Sequence, residues 1–417
     1  MRNFNVIFLA SMFALLFIGC NTLKQASQNN DSPVIVPQNL EKKPTTVIQE
    51  VASSHTDAIE HSKPAVTLGK IASLKSTILN KTIPLSIHLP ANYDSSKKNY
   101  PVLYMMGSEY RSRFAMLAAT LDYMGEGQMP EVILVGIDLP EGNSILLPTW
   151  KEKDTSIPDN YIRFFEKELM PHIENRFRTA PFKILFGGSN SGFFSVYTLL
   201  NNPLLFNGYF ASSPSLSIIP KEMQEKIKSA PFKTLSKNRF LHIIYSDTEG
   251  LTKHVSEFTR VLTDHKPAHL TYKVDALANQ GHVPPMDFAL FLHSLYPDYN
   301  PFNFRKKMVS LGTVKQHFKS LSIRYGYEIQ TPISILFDLG FVTTRSKDLI
   351  AAEEVFQYSL EVYPEAKESY LGMGILRRTQ GQLESAKVLF EKALTIDPEF
   401  SLAKRFLQRL KKQMEAN

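Results

Sequence analysis

From about residue 70 onward, short apolar and β-branched runs alternate with stretches whose apolar positions recur every three or four residues. The short runs lie at 71–79, 84–89, 102–106, 132–137, 184–186, 208–211, 240–245 and 270–274. The first two read as an antiparallel hairpin around Asn80-Lys81. Between later runs lie helical patterns such as 161–177, with Ile162, Phe165, Leu169, Ile173 and Phe177 on one stripe. Alternation on this scale predicts an α/β domain over residues 65–300, a mostly parallel sheet with helices on both faces. After a linker-like stretch at 301–307 the strand signal disappears and residues 308–417 read as all-α.

The central domain is organised around Lys-Ile-Leu-Phe-Gly-Gly-Ser-Asn-Ser-Gly-Phe-Phe-Ser-Val at 183–196. Here a strand pattern breaks at a run of small residues and resumes as a helix, so Ser189 sits at a sharp turn. Small neighbours allow a strained backbone that pushes a serine Oγ clear of the sheet. The stretch has the form Gly-x-Ser-x-Gly, except that Ser191 stands at the fifth position. A Gly/Ser-rich βα turn that cradles phosphate is the other reading of the same residues.

Two more loops follow predicted strand ends, where parallel sheets collect their active sites. Ser246-Asp247-Thr248-Glu249-Gly250 carries two carboxylates, and Ala278-Asn279-Gln280-Gly281-His282 carries a histidine. The order serine, acid, histidine suits nucleophilic catalysis. A serine hydroxyl needs an imidazole to take its proton, and a carboxylate fixes that imidazole's tautomer. Ser189 is therefore the candidate nucleophile and His282 the base, with Glu249 or Asp247 as the acid. The oxyanion would be met by the N–H of Asn190 and by a second donor near Ser108 or Glu109.

Several segments resemble one esterase branch of the α/β-hydrolases, the branch of enterochelin and other siderophore esterases, feruloyl esterases, S-formylglutathione hydrolases and mycolyltransferases. They are residues 100–106, 128–137, 165–174, 178–189 and Ser-Pro-Ser-Leu at 213–216. The resemblance implies an α/β-hydrolase fold and hydrolysis of a small carboxylic ester without a cofactor, with Ser189 as nucleophile, Glu249 as acid and His282 as base, or with a Ser–His dyad, since the acid of such enzymes is sometimes displaced or dispensable.

In the C-terminal stretch Pro364 and Pro398 stand 34 residues apart. At the same offset Leu339-Gly340 matches Met373-Gly374, Ala352 matches Ala386, Phe356 matches Phe390 and Ser359 matches Ala393. This period resembles the tetratricopeptide repeat, in which small residues admit a neighbouring helix and aromatics fill the gap. Residues 316–327 are expected to form an earlier helix and 402–413 a cap. Such repeats bind a protein or peptide partner, pack on the adjoining domain or mediate self-association.

Residues 1–20 carry one early positive charge, an apolar stretch at 6–18 and a terminal Gly19-Cys20. That is a secretory signal rather than a membrane span, and its end resembles the bacterial lipoprotein signal. The resemblance implies cleavage before Cys20, acylation there, and a membrane-anchored place in the bacterial cell envelope. Residues 21–64, rich in Ser, Asn, Gln and Pro, read as a disordered tether.

Cys20 is the sole cysteine of 417 residues, so stability must come from a core, for which a 43% hydrophobic composition suffices. No His/Cys/Asp/Glu spacing suggests a metal site, and His172 and His242 read as packing or surface residues within elements. Trp150 is a candidate cleft or packing residue. For an exported chain the net charge of +7 points to a solvated basic face rather than nucleic acid. Two further function classes remain open on the sequence: a hydrolase-fold scaffold whose repeats bind a partner, and an acyltransferase using the same triad.

Overall fold

The computed structural model describes residues 68–94, 96–125, 127–148, 154–219, 225–228 and 238–415. The signal, Cys20, the tether and Trp150 lie outside the described residues.

Eight strands form one sheet: β1 Lys70–Ser76, β2 Lys81–His88, β3 Tyr100–Met106, β4 Ile133–Ile137, β5 Thr179–Gly188, β6 Gly208–Ser212, β7 Arg239–Ser246 and β8 Leu270–Leu277. Their order is β1-β2-β4-β3-β5-β6-β7-β8. β1 and β2 form the expected hairpin, β2 also pairs antiparallel with β4, and all later pairings are parallel. This mixed sheet with flanking helices is consistent with the expected α/β-hydrolase fold. Every residue of β3, β4 and β6 is buried, as a sheet covered on both faces requires.

The period of two assigns alternate residues to opposite layers. Val102, Tyr104 and Met106 point to one core, Leu103 and Met105 to the other. The first layer is covered by α2 Ser156–Phe164, a π-helical turn Phe165–Leu169, α3 Met170–Glu174, α4 Asn190–Asn201 and α5 Thr252–His265. Aromatic contacts bind it: Phe165 meets Tyr104, Phe194 and Phe206 with ring centroids 5.4–6.3 Å apart. The second layer is covered by α1 Arg111–Gly125 and α6 Asp287–Leu295, where Phe210 and Phe291 stack at 4.5 Å.

The second core does not stop at residue 300. It continues through Tyr296, Tyr299 and Phe304 into α7 Leu311–Tyr325, α8 Ile333–Arg345 and Val355 of α9 Leu349–Val362. Phe304 is buried and Phe302 stacks on it, so the linker-like stretch is packed into the fold. The helical region thus extends the hydrophobic layer that backs the sheet.

Beyond it lie α10 Lys367–Thr379, α11 Leu383–Ile396 and α12 Ser401–Glu415. Close approach between these helices depends on glycine. A Cβ on Gly340 or Gly372 would fall 2.5 or 2.1 Å from the buried Phe356 ring, and one on Gly374 would fall 2.5 Å from Phe390. The Gly340–Phe356 contact therefore recurs 34 residues later as Gly374–Phe390.

Candidate active site

Between the end of β5 at Gly188 and the start of α4 at Asn190 there is one residue, Ser189. Its backbone sits at φ 58°, ψ −122°, where residues with a Cβ are rarely found. Missing side chains make this turn possible. A Cβ on Gly187 would lie 2.0 Å from Ser191 O, and one on Gly192 would lie 3.0 Å from Ser212 O. The neighbouring structure then fixes it: Ser189 N–H donates to Ser212 O at 2.8 Å, and Phe193 N–H donates to Ser189 O at 3.0 Å.

After β7, residues Asp247–Glu249 make one tight helical turn closed by a capping box on Ser246. The Ser246 N–H donates to Glu249 Oε1 at 2.8 Å, which leaves Oε2 to meet His282 Nδ1 at 2.6 Å. Asp247 turns elsewhere and accepts the Asn279 N–H at 3.0 Å. The two acids of this loop are thereby separated: Glu249 touches the imidazole, and Asp247 holds the loop that carries it. Gln280 contributes its carbonyl, which accepts from Ser246 Oγ at 2.5 Å and Thr248 Oγ1 at 3.2 Å. The His282 ring is about half exposed, at 55%, while the Glu249 side chain is 10% exposed. Among the described residues, no hydrogen-bond partner reaches His282 Nε2.

Val283, the next residue, brings this loop to the serine turn. Its Cγ1 lies 2.9 Å from where a Cβ on Gly188 would be. Its N–H donates to Ser213 Oγ at 3.0 Å, and that hydroxyl donates to Glu249 Oε1 at 2.7 Å. In the sequence Ser213 is marked only by its place in Ser-Pro-Ser-Leu, the second of two serines that close an apolar strand just before a proline.

The loop after β3 ties Ser108 into the fold. Ser108 donates its N–H to Ile137 O at 3.1 Å, and its hydroxyl bonds the buried Asp138 carboxylate. Neither donor is left for an oxyanion, because Ile137 at the end of β4 extends the parallel pairing past Met106. Arg111 reinforces this closure through Asp138 Oδ2 at 2.6 Å and Ser108 O at 3.0 Å. Burial raises the Glu109 carboxyl above the usual range, opposed by the N–H groups of Leu139, at 2.8 Å, and of Glu109 itself. Asn190 supplies the first N–H of α4, a group with no partner inside the helix. Its side chain is fixed by Ser215 Oγ at 2.7 Å and Asn143 Oδ1 at 3.3 Å.

Behind the serine turn lies a charge pair whose acid is buried. The Arg113 guanidinium stands 2.9 Å from the position a Gly188 Cβ would take and 3.9 Å from Asp287 Oδ2. It also packs over Phe186 and Phe288. Asp287 is fully buried and neither carboxylate oxygen closes a hydrogen bond. Elsewhere, His242 is buried against Asp275 at 2.9 Å, and burial lowers its pKa to about 4. Among the described residues, no three His, Cys, Asp or Glu side chains converge as metal ligands.

Residues 76–249 match the family model described as "Putative esterase". Ferri-bacillibactin esterase BesA of Bacillus subtilis is 26% identical over 171 residues, an alignment covering 35% of this chain and 58% of the relative. The chain thus spans less than two thirds of the curated relative it matches. An IroE-like serine hydrolase from Shewanella oneidensis is similar in structure, with a TM-score of 0.57 and 23% identity over 70% of this chain and 99% of that one. An uncharacterised protein from Capnocytophaga ochracea has a TM-score of 0.56 and 17% identity, covering 82% of this chain and 99% of that one. That coverage exceeds what residues 65–300 contain, so the likeness of fold reaches into the C-terminal helices.

Desolvation raises the Asp287 carboxyl to about 6; the nearby Ser212 hydroxyl, Arg113 and Phe288 N–H offset it only in part. From the ordinary carboxylate range up to about 6, the folded chain then binds more protons here than the unfolded chain. The stabilising contribution is present at low pH and lost as pH rises through this window. The shift corresponds to at most about 3 kcal/mol. Asp287→Asn removes the titration, so its stability relative to wild type should rise by about 1–3 kcal/mol between about pH 4 and pH 7. Urea unfolding across that range measures the difference, and a difference independent of pH would contradict the assignment.

Proposed function

We propose that residues 65–300 form a serine esterase that hydrolyses a small carboxylic ester through an acyl-enzyme. The observation that carries this reading is the 2.6 Å contact between Glu249 and His282, in a loop wedged by Val283 against the turn that holds Ser189. Ser189 Oγ attacks the ester carbonyl while His282 Nε2 takes its proton and returns it to the leaving alcohol. Glu249 keeps the proton on Nδ1 and stabilises the imidazolium. The oxyanion is met by the N–H group of Asn190 and by a second donor from the loop after β3, near Glu109. In the second half His282 deprotonates a water, the acyl group leaves as a carboxylic acid, and Ser189 is restored. Siderophore, feruloyl-glycan and acetyl-glycan esters make up the proposed substrate class, supported by the family match and by the similarity to ferri-bacillibactin esterase.

In the same reading α8 to α11 are two repeats of tetratricopeptide type. The recurring Gly–Phe contact supports this, and α8 with Val355 of α9 joins the core that backs the sheet's second face. On the sequence signal, the chain is anchored in the bacterial envelope through lipid on Cys20. Protein recovered from host membranes should then begin at Cys20 and carry acyl mass. A mature chain with an unmodified cysteine, or one retaining residues 1–19, contradicts the anchor.

The catalytic assignment is tested with short-chain p-nitrophenyl esters. Ser189→Ala should lower kcat by at least about a thousandfold, with the fold verified by circular dichroism. Wild-type turnover in this variant would end the assignment.

A further inference from the structure

We propose that Ser213 is a positioning residue, and that its hydroxyl locks the acid and the histidine loop to each other. The inference rests on the esterase reading above. Ser213 follows β6 and is buried, at 1% exposure. Its hydroxyl donates to Glu249 Oε1 at 2.7 Å and accepts the Val283 N–H at 3.0 Å. One oxygen therefore joins the carboxylate to the backbone beside His282. The carboxylate's other oxygen meets the imidazole at 2.6 Å, which closes a ring from Ser213 through Glu249, His282 and Val283.

The backbone shows that this placement is held against a conformational preference. Ser213 has φ 43° and Val283 has φ 55°, and a β-branched residue at positive φ is strained. Ser213 N–H donates to Ile244 O at 2.7 Å, which keeps the residue in register at the end of β7. A site that carries such strain must over-determine it with contacts. The Val283 N–H bond to Ser213 and the Val283 side chain against Gly188 are those contacts on the histidine side.

The hydroxyl has a defined part in the reaction. When His282 takes the serine proton, the imidazolium must stay on Glu249 without the carboxylate rotating. Oε1 is fixed by two donors, the Ser246 N–H and the Ser213 hydroxyl. Only the second also reaches the loop that carries the base. Removing it breaks the tie between the carboxylate and the backbone beside His282 and leaves the Val283 N–H without its acceptor, while the bonds of Asn279 and Gln280 still hold the earlier part of the loop to the acid's turn.

The test compares Ser213→Ala with Ser213→Gly. Glycine accepts positive φ without strain, so Ser213→Gly keeps the fold available while removing the hydroxyl. Both variants should lose about 10- to 100-fold in kcat, with KM changed less than about twofold. In a Glu249→Ala background the further loss on removing the hydroxyl should shrink to about twofold or less, because the residue acts through that acid. Full kcat in Ser213→Gly, a loss confined to KM, or losses that multiply fully with Glu249→Ala would overturn the proposal. Ser189→Ala is measured alongside. If it abolishes turnover while Ser213→Gly retains it, only the positioning role fails; if Ser189→Ala stays active, the esterase reading itself fails.

Discussion

The constraint on which the rest of the site depends is the turn at Ser189, one residue between a buried strand and a buried helix. That turn exists because Gly187, Gly188 and Gly192 leave space that backbone and neighbouring side chains occupy. The space at Gly188 is taken by the Arg113 guanidinium and the Val283 side chain. The serine's backbone conformation, the histidine loop and the Arg113–Asp287 pair are therefore one packing problem. A methyl group at any of these glycines would displace at least one of the others.

The sheet supplies the rigidity this arrangement needs. Its central strands are buried on both faces, and the second face is completed by helices that come after the histidine loop in the chain. The loop at 278–286 is thus held at both ends, by β8 before it and by α6 after it, with α6 sealed into the layer that continues to α8. This explains physically why the C-terminal helices share a core with the sheet: without them Phe182, Tyr296 and Phe304 would face water.

Much of the architecture was legible because it rests on period and composition. All eight strands appear in the sequence as apolar runs, and the turn at Ser189 announces itself through small residues. β5 extends back to Thr179, five residues before its apolar run, because Pro181 interrupts the pattern while pairing with β3 continues across an irregular register. The stretch at 301–307 reads as polar, since two aromatics among basic residues show no period, yet Phe304 is buried. Glu249 and Asp247 could not be separated by spacing; the capping box that turns one carboxylate toward His282 and the other toward Asn279 is a matter of local geometry. The Ser108 N–H is taken up for a tertiary reason, the reach of Ile137 O, and Asp287 resembles an ordinary acid in a helix's first turn until Arg113 and the cores around it are in place. What stayed hidden depends on partners distant in sequence.

The central claim is that Ser189 is an activated nucleophile and His282 is what activates it. The most direct measurement is to treat the folded fragment of residues 65–417 with a fluorophosphonate and to locate the adduct by mass spectrometry. The account predicts one stoichiometric adduct on Ser189 and its loss in His282→Ala. No adduct in the folded wild-type fragment, or equal labelling without the imidazole, would contradict it.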